Sequence, residues 1–205
     1  MGITLRQFNE MTARVQGAGL RHAAPHPALP PLPATAAHRI ILGLDPSLRG
    51  TGYGVIATRT PQPVALTHGT IVCPRDWPHS RCLAHIAKTV REVAMTFQPT
   101  VCAVEGLFFA QNLKTALVMG EARGAALAAL AEAGLEIYEI APRKVKQAIV
   151  GYGAAQKLAV AKMVQRLLGL AVLPSADAAD ALALALAQAQ NLERRRGHLK
   201  PLQPV

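Results

Sequence analysis

Apolar positions along this chain follow two rhythms. The first is short and either unbroken or alternating: RIILGLD (39–45), YGVIAT (53–58), VALTHGTIV (64–72), TVCAVEG (100–106) and LEIYEIA (135–141). Runs of this length, ended by Gly, Pro or Asp, predict β-strands, and the continuous aliphatic ones predict strands buried on both faces. PSLRGTG (46–52) supplies the turn between the first two strands, so the first three form a meander. The second rhythm is helical. Leu83, Ile86, Val90, Val93 and Phe97 recur at three- and four-residue steps, and Asn112–Ala133 is an alanine-rich stretch of helix formers. PRKVKQAIVG predicts a short helix opened by Pro142, a favoured first helical position. Ala154–Leu168 and Pro174–Gln190 predict two more; alanine and the lack of β-branched residues rule against a strand in the Ala-Leu alternation of the last. The resulting order, βββαβαβααα, predicts an α/β fold: a mixed five-stranded sheet, antiparallel meander plus parallel strands, with helices on both faces.

The patterned region is bounded. Residues 1–38 hold one short apolar periodicity (Leu5, Phe8, Thr12, Val15) and then HAAPHPALPPLPATAAH, a Pro/Ala stretch that predicts a flexible extension. Residues 39–190 are the expected domain, and 191–205 a basic C-terminal tail. No apolar run approaches the length of a membrane span, and no apolar signal segment opens the chain, so a cytoplasmic protein is expected. The three cysteines lack C-x-x-C spacing, which predicts reduced thiols and no zinc site.

Charge changes the picture. Of a net +10, residues 1–38 carry +2, 39–190 carry +5 and 191–205 carry +3, so the excess is spread through the domain. A basic chain that still places acids at chosen points suggests a polyanionic substrate with a cation between them. Asp45 ends the first strand and Glu105 the fourth; Asp177 and Asp180 share one face near the start of the last helix. Carboxyl ends of neighbouring strands in open α/β sheets share one edge, where ligands bind. Each acid alone has a plain structural explanation as a cap or turn residue. Their convergence points to hard divalent cations and an in-line phosphoryl displacement.

The segments LGLDPSLRGTGYGVI, AVEGLFFAQN, RKVKQAIVGYGAAQK and ADAADALALA, in that order and spacing, resemble the bacterial RuvC family of Holliday junction resolvases over roughly residues 39–190. The resemblance implies a ribonuclease-H-like fold, a homodimer, and symmetric nicking of four-way junction DNA that depends on Mg²⁺ or Mn²⁺, with two ions per site. It implies that Asp45, Glu105, Asp177 and Asp180 are the catalytic, metal-holding acids, and that Lys146, Lys157 and Phe108 engage DNA. The RuvA and RuvB branch-migration proteins enter as further expected partners. The chain departs from the family pattern at Gly106, where a longer polar residue is usual, and at Ser47, where glycine often follows the proline.

Other readings are open to the sequence. A ribonuclease-H-like nuclease that matures ribosomal RNA would differ in substrate, and a non-catalytic junction-binding protein would not need all four acids. The Gly/Thr-rich turn after Asp45 also resembles the first phosphate turn of actin-like ATPases, which need a second such turn. There is neither a G-x-S-x-G nor a P-loop motif, and the seven histidines lack metal-ligand spacing.

Overall fold

The computed structural model describes Arg6 and residues 40–58, 62–106 and 112–198. By its contacts the chain divides into Met1–Pro31 and Leu32–Val205, and all elements below belong to the second unit. The strands are β1 (Ile40–Asp45), β2 (Gly50–Ala57), β3 (Val64–Val72), β4 (Val101–Glu105) and β5 (Glu136–Ile140). The helices are α1 (His79–Phe97), α2 (Leu113–Glu132), α3 (Pro142–Val150), α4 (Lys157–Leu168) and α5 (Ala176–His198). The expected order of elements holds, and the strands form one mixed sheet in the order β3-β2-β1-β4-β5, with β1–β2 and β2–β3 antiparallel and β1–β4 and β4–β5 parallel.

Three boundaries differ by three residues or more from the sequence expectation. β2 starts at Gly50 because the turn before it closes tightly. Thr51 Oγ1 donates to the Ser47 carbonyl (2.6 Å), and the Gly50 N–H donates to Ser47 Oγ (3.1 Å), so pairing with β3 begins at once, Gly50 opposite Val72. α4 starts at Lys157, three residues late, because Gln156 is still extended. α5 runs eight residues past Gln190, whose Nε2 donates to the Ala148 carbonyl of α3 (3.3 Å) and holds the helix to the fold at the point where the added turns begin.

The sheet separates two cores. On one face Leu42, Leu44, Val55, Cys102 and Val104 meet Ile86 and Val90 of α1 and Ala126 and Leu130 of α2. On the other, Ile41, Ile56, Val101 and Ala103 meet α5, which α3 and α4 cover in turn through Val145, Ile149, Val160 and Val164. α5 is thus buried on two sides, which is why Ala178–Ala189 carries almost nothing but Ala and Leu. Asn112, expected at the start of α2, caps it by accepting from the Thr115 N–H (2.8 Å).

Candidate active site

Sheet register sets the site. In a β-ladder, residues in register point to the same side. β1 pairs with β4 from Ile41 opposite Val101 to Leu44 opposite Val104, so Asp45 and Glu105 follow side by side at the strand ends. Across the whole sheet this level reads Thr70, Gly52, Asp45, Glu105, Ile140. One level inward reads His68, Gly54, Gly43, Ala103, Tyr138. Both levels face α5, and where α5 crosses β1 and β2 it meets Gly43, Gly52 and Gly54.

Those glycines admit the helix backbone itself. A Cβ on Gly43 would lie 1.8 Å from the Ala181 carbonyl oxygen, and one on Gly52 2.1 Å from that of Asp177. A Cβ on Gly54 would lie 2.6 Å from Leu182 Cδ2. The first turn of α5 is held as well: Thr70 Oγ1 and Ser175 Oγ share a hydrogen bond (3.0 Å), and the Ala178 N–H donates to Ser175 Oγ (3.4 Å). Asp177 therefore has its backbone over Gly52, the register partner of Asp45. Asp180 lies one turn on, where Lys157 Nζ donates to its Oδ2 (2.8 Å).

Asp45 and Glu105 both feel the neighbouring acids. The Asp45 carboxyl is pushed up to about 7, first by burial and then by the charges of Glu105, Asp180 and Asp177, with Lys157 opposing. Glu105 is raised too, by burial first and Asp180 second, while Lys157, Lys146 and Arg123 hold it back. Lys157 is raised chiefly by its hydrogen bond to Asp180. Lys146 and Lys157 join Glu105 and Asp180 in one cleft of ≈ 280 Å³, roofed by Pro142, Val145 and Val160. Among the described residues, no three Asp, Glu, His or Cys side chains already stand close enough to enclose an ion. The donor set still suits a hard dication: all the donors are carboxylate oxygens, and the burial and the added repulsion that push the Asp45 carboxyl up to about 7 are what such a cation offsets. Phe108 lies outside the described residues.

The sequence reading missed two features. Arg123, in the alanine-rich α2, is buried; its guanidinium donates to the backbone carbonyl of Glu105 and to Glu139 Oε1, so it pins the end of β4 from the opposite side of the sheet. A lone arginine among Ala122 and Ala126 was the available signal. The second feature is the glycine platform, visible in the sequence as glycine at every other position, Gly50-Thr-Gly52-Tyr-Gly54. Ser47, where the pattern departs from the family, closes its turn through its hydroxyl, and Arg49 in the same turn donates to the carbonyls of Pro74 and Trp77. Cys73, Cys82 and Cys102 are buried free thiols. No described helix is long and apolar enough to cross a membrane.

Comparison with known proteins agrees with this geometry. Residues 41–188 match the family model described as crossover junction endodeoxyribonuclease RuvC. The RuvC of Syntrophomonas wolfei is 43% identical over 71% of this chain and 86% of its own length, and that of Hyphomonas neptunium 45% over 77% and 95%. The structure of T. thermophilus RuvC in complex with a Holliday junction substrate superposes with a TM-score of 0.72 at 37% identity, covering 80% of this chain and 100% of that one. The chain belongs to the RuvC family of crossover junction endodeoxyribonucleases.

Proposed function

We propose that this chain is a metal-dependent endonuclease that resolves Holliday junctions by nicking two opposed strands. The observation that carries the proposal is the row of levels at the sheet edge: Asp45 beside Glu105, with Asp177 seated on the register partner of Asp45. In this reading Asp45, Glu105, Asp177 and Asp180 hold the metal. Mg²⁺ or Mn²⁺ held there, two ions to a site, would supply positive charge to an attacking water and to the leaving 3′ oxygen. The protein's own part is to hold acids and phosphate in place. Helix α5 on its glycines fixes Asp177 and Asp180 against β1, and Arg123 fixes the end of β4 that bears Glu105. Lys157, 73% exposed at its side chain, gives up its contact with Asp180 to the incoming strand, and Lys146 meets the same phosphates from across the cleft. Hydrolysis leaves a 5′ phosphate and a 3′ hydroxyl, ends that a ligase can join. Phe108 remains the proposed residue that stacks on junction bases.

Paired cuts need two sites related by a two-fold axis, hence a homodimer. α2 favours this. Leu113 and Leu117 are exposed, and among the described residues Gly120 and Gly124 on the same face have no atom near enough to touch an added Cβ, a small-residue apolar stripe suited to a second copy. The experiment is incubation with an immobile four-way junction and a linear duplex, each with and without Mg²⁺. Symmetric nicks in the junction alone, only with Mg²⁺, are expected; equal cutting of the duplex, or of an RNA precursor in its place, overturns the proposal.

A further inference from the structure

Two lysines line the cleft of Glu105 and Asp180, Lys146 from α3 and Lys157 from the start of α4, and residues 151–156 join those helices. Gly151, at φ 93°, turns the chain out of α3 while its N–H donates to the Gln147 carbonyl. Glycine takes that conformation at no steric cost. Gly153 then comes against the first turn of α3: a Cβ there would lie 2.4 Å from Arg143 Cγ and 3.2 Å from the Arg143 carbonyl oxygen. The connection thus doubles back along α3 toward the end that opens on the cleft. Buried Ala155 anchors it in the core, and Lys157 reaches Asp180 directly after. Tyr152 sits between these fixed points and is 56% exposed. The other described Phe, Trp and Tyr residues behave differently: Tyr53, Trp77 and Phe97 pack against one core and Tyr138 against the other. Tyr152 alone among them is held out in water, on a short loop pinned on both sides of it, with exposed Arg143 at its border.

We propose that Tyr152 stacks on a nucleobase next to the phosphate held by Lys146 and Lys157, in addition to the role given to Phe108. An aromatic ring flanked by cations grips unpaired nucleic acid well, because the cations track the backbone while the ring covers a base face. A base inside a continuous duplex does not offer its face without the cost of unstacking. A base at the exchange point of a four-way junction, where strands change partners, offers it at less cost, so Tyr152 favours branched over linear DNA. This role rests on the junction-cutting reading above.

The test uses the full chain and an immobile four-way junction that carries 2-aminopurine, in turn, at each nucleotide flanking the nick made by the unaltered chain in Mg²⁺. Binding is then measured with metal chelated. Tyr152→Ala is expected to weaken junction binding about 5-fold or more, as the loss of one stacked base does. The slope of log affinity against log salt should not change, since no charge is lost. At saturating protein the same variant should lose the 2-aminopurine fluorescence change at one position. Tyr152→Phe keeps the ring and is expected to match the parent in affinity and fluorescence. Met95→Ala removes an exposed side chain of α1, on the other face of the sheet, and is expected to alter neither. Parent affinity in Tyr152→Ala, an equal loss on a linear duplex, or a loss in Tyr152→Phe or Met95→Ala as large as that in Tyr152→Ala overturns the stacking role. Absence of junction cutting by the unaltered chain overturns the underlying function instead.

Discussion

On one face of the sheet, Ile86, Val90 and Leu130 interlock with Leu42, Leu44 and Val104, side chain against side chain. On the other, the backbone of α5 sits directly on Gly43 and Gly52 and the Leu182 side chain on Gly54. The first is an ordinary aliphatic core, in which a lost methyl leaves a gap that neighbours partly fill. The second has no side chain to give way. A helix seated by its carbonyls is held at nearly fixed height and register, and so are the acids of its first two turns. The proposed chemistry sits on the face with the least freedom to relax, as fixed catalytic geometry requires. Arg123 crosses this division: it belongs to the aliphatic face, yet it holds the end of β4.

Variants can break or sharpen this contrast. The largest expected effect is that of Asp45→Asn, which should lower junction cutting by at least about 10²-fold. The same variant should be no less stable than the parent above pH 7, because it removes a buried charge. Near-normal nicking in Mg²⁺ would remove Asp45 from the site. Gly43→Ala comes next. Its methyl has no room beneath Ala181, so α5 must lift, with a loss of about 3 kcal/mol in denaturant melts and severe loss of cutting. If Gly43→Ala melts and cuts like the parent, the platform does not set the acids.

Arg123→Met should cost roughly 1–3 kcal/mol by leaving the Glu105 carbonyl without its donor. Junction cutting should fall further than melting alone explains at a temperature where the variant is fully folded. A smaller signal is expected from pH. Asp45 titrates near 3.8 in the unfolded chain and at about 7 in the folded one, so the folded state holds its proton more tightly. The stability from this group is full below pH 4 and is lost as pH rises through 7, up to roughly 4 kcal/mol. Metal-chelated protein should therefore melt lower at pH 8 than at pH 5, and Asp45→Asn should flatten that difference; an equal slope in the variant would contradict it. The smallest effect belongs to the aliphatic face, where Ile86→Val should cost about 1 kcal/mol and leave cutting within twofold.

Sequence alone determined the elements and their order, because the two rhythms of apolar spacing are local and each maps to one kind of structure. It also placed Asp45 and Glu105 at strand ends and Asp177 and Asp180 on one helical face. Only the tertiary structure decided that these positions share a level, because strand register depends on pairing between segments 60 residues apart. The glycines of β1 and β2 could be read as turn or strand residues until α5 was seen to rest on them. Nothing near Arg123 in the sequence points to β4, which only the fold brings beside it. Such features have no local signature, since what defines them is the absence of a side chain, or the reach of one, at a point supplied by a distant part of the chain.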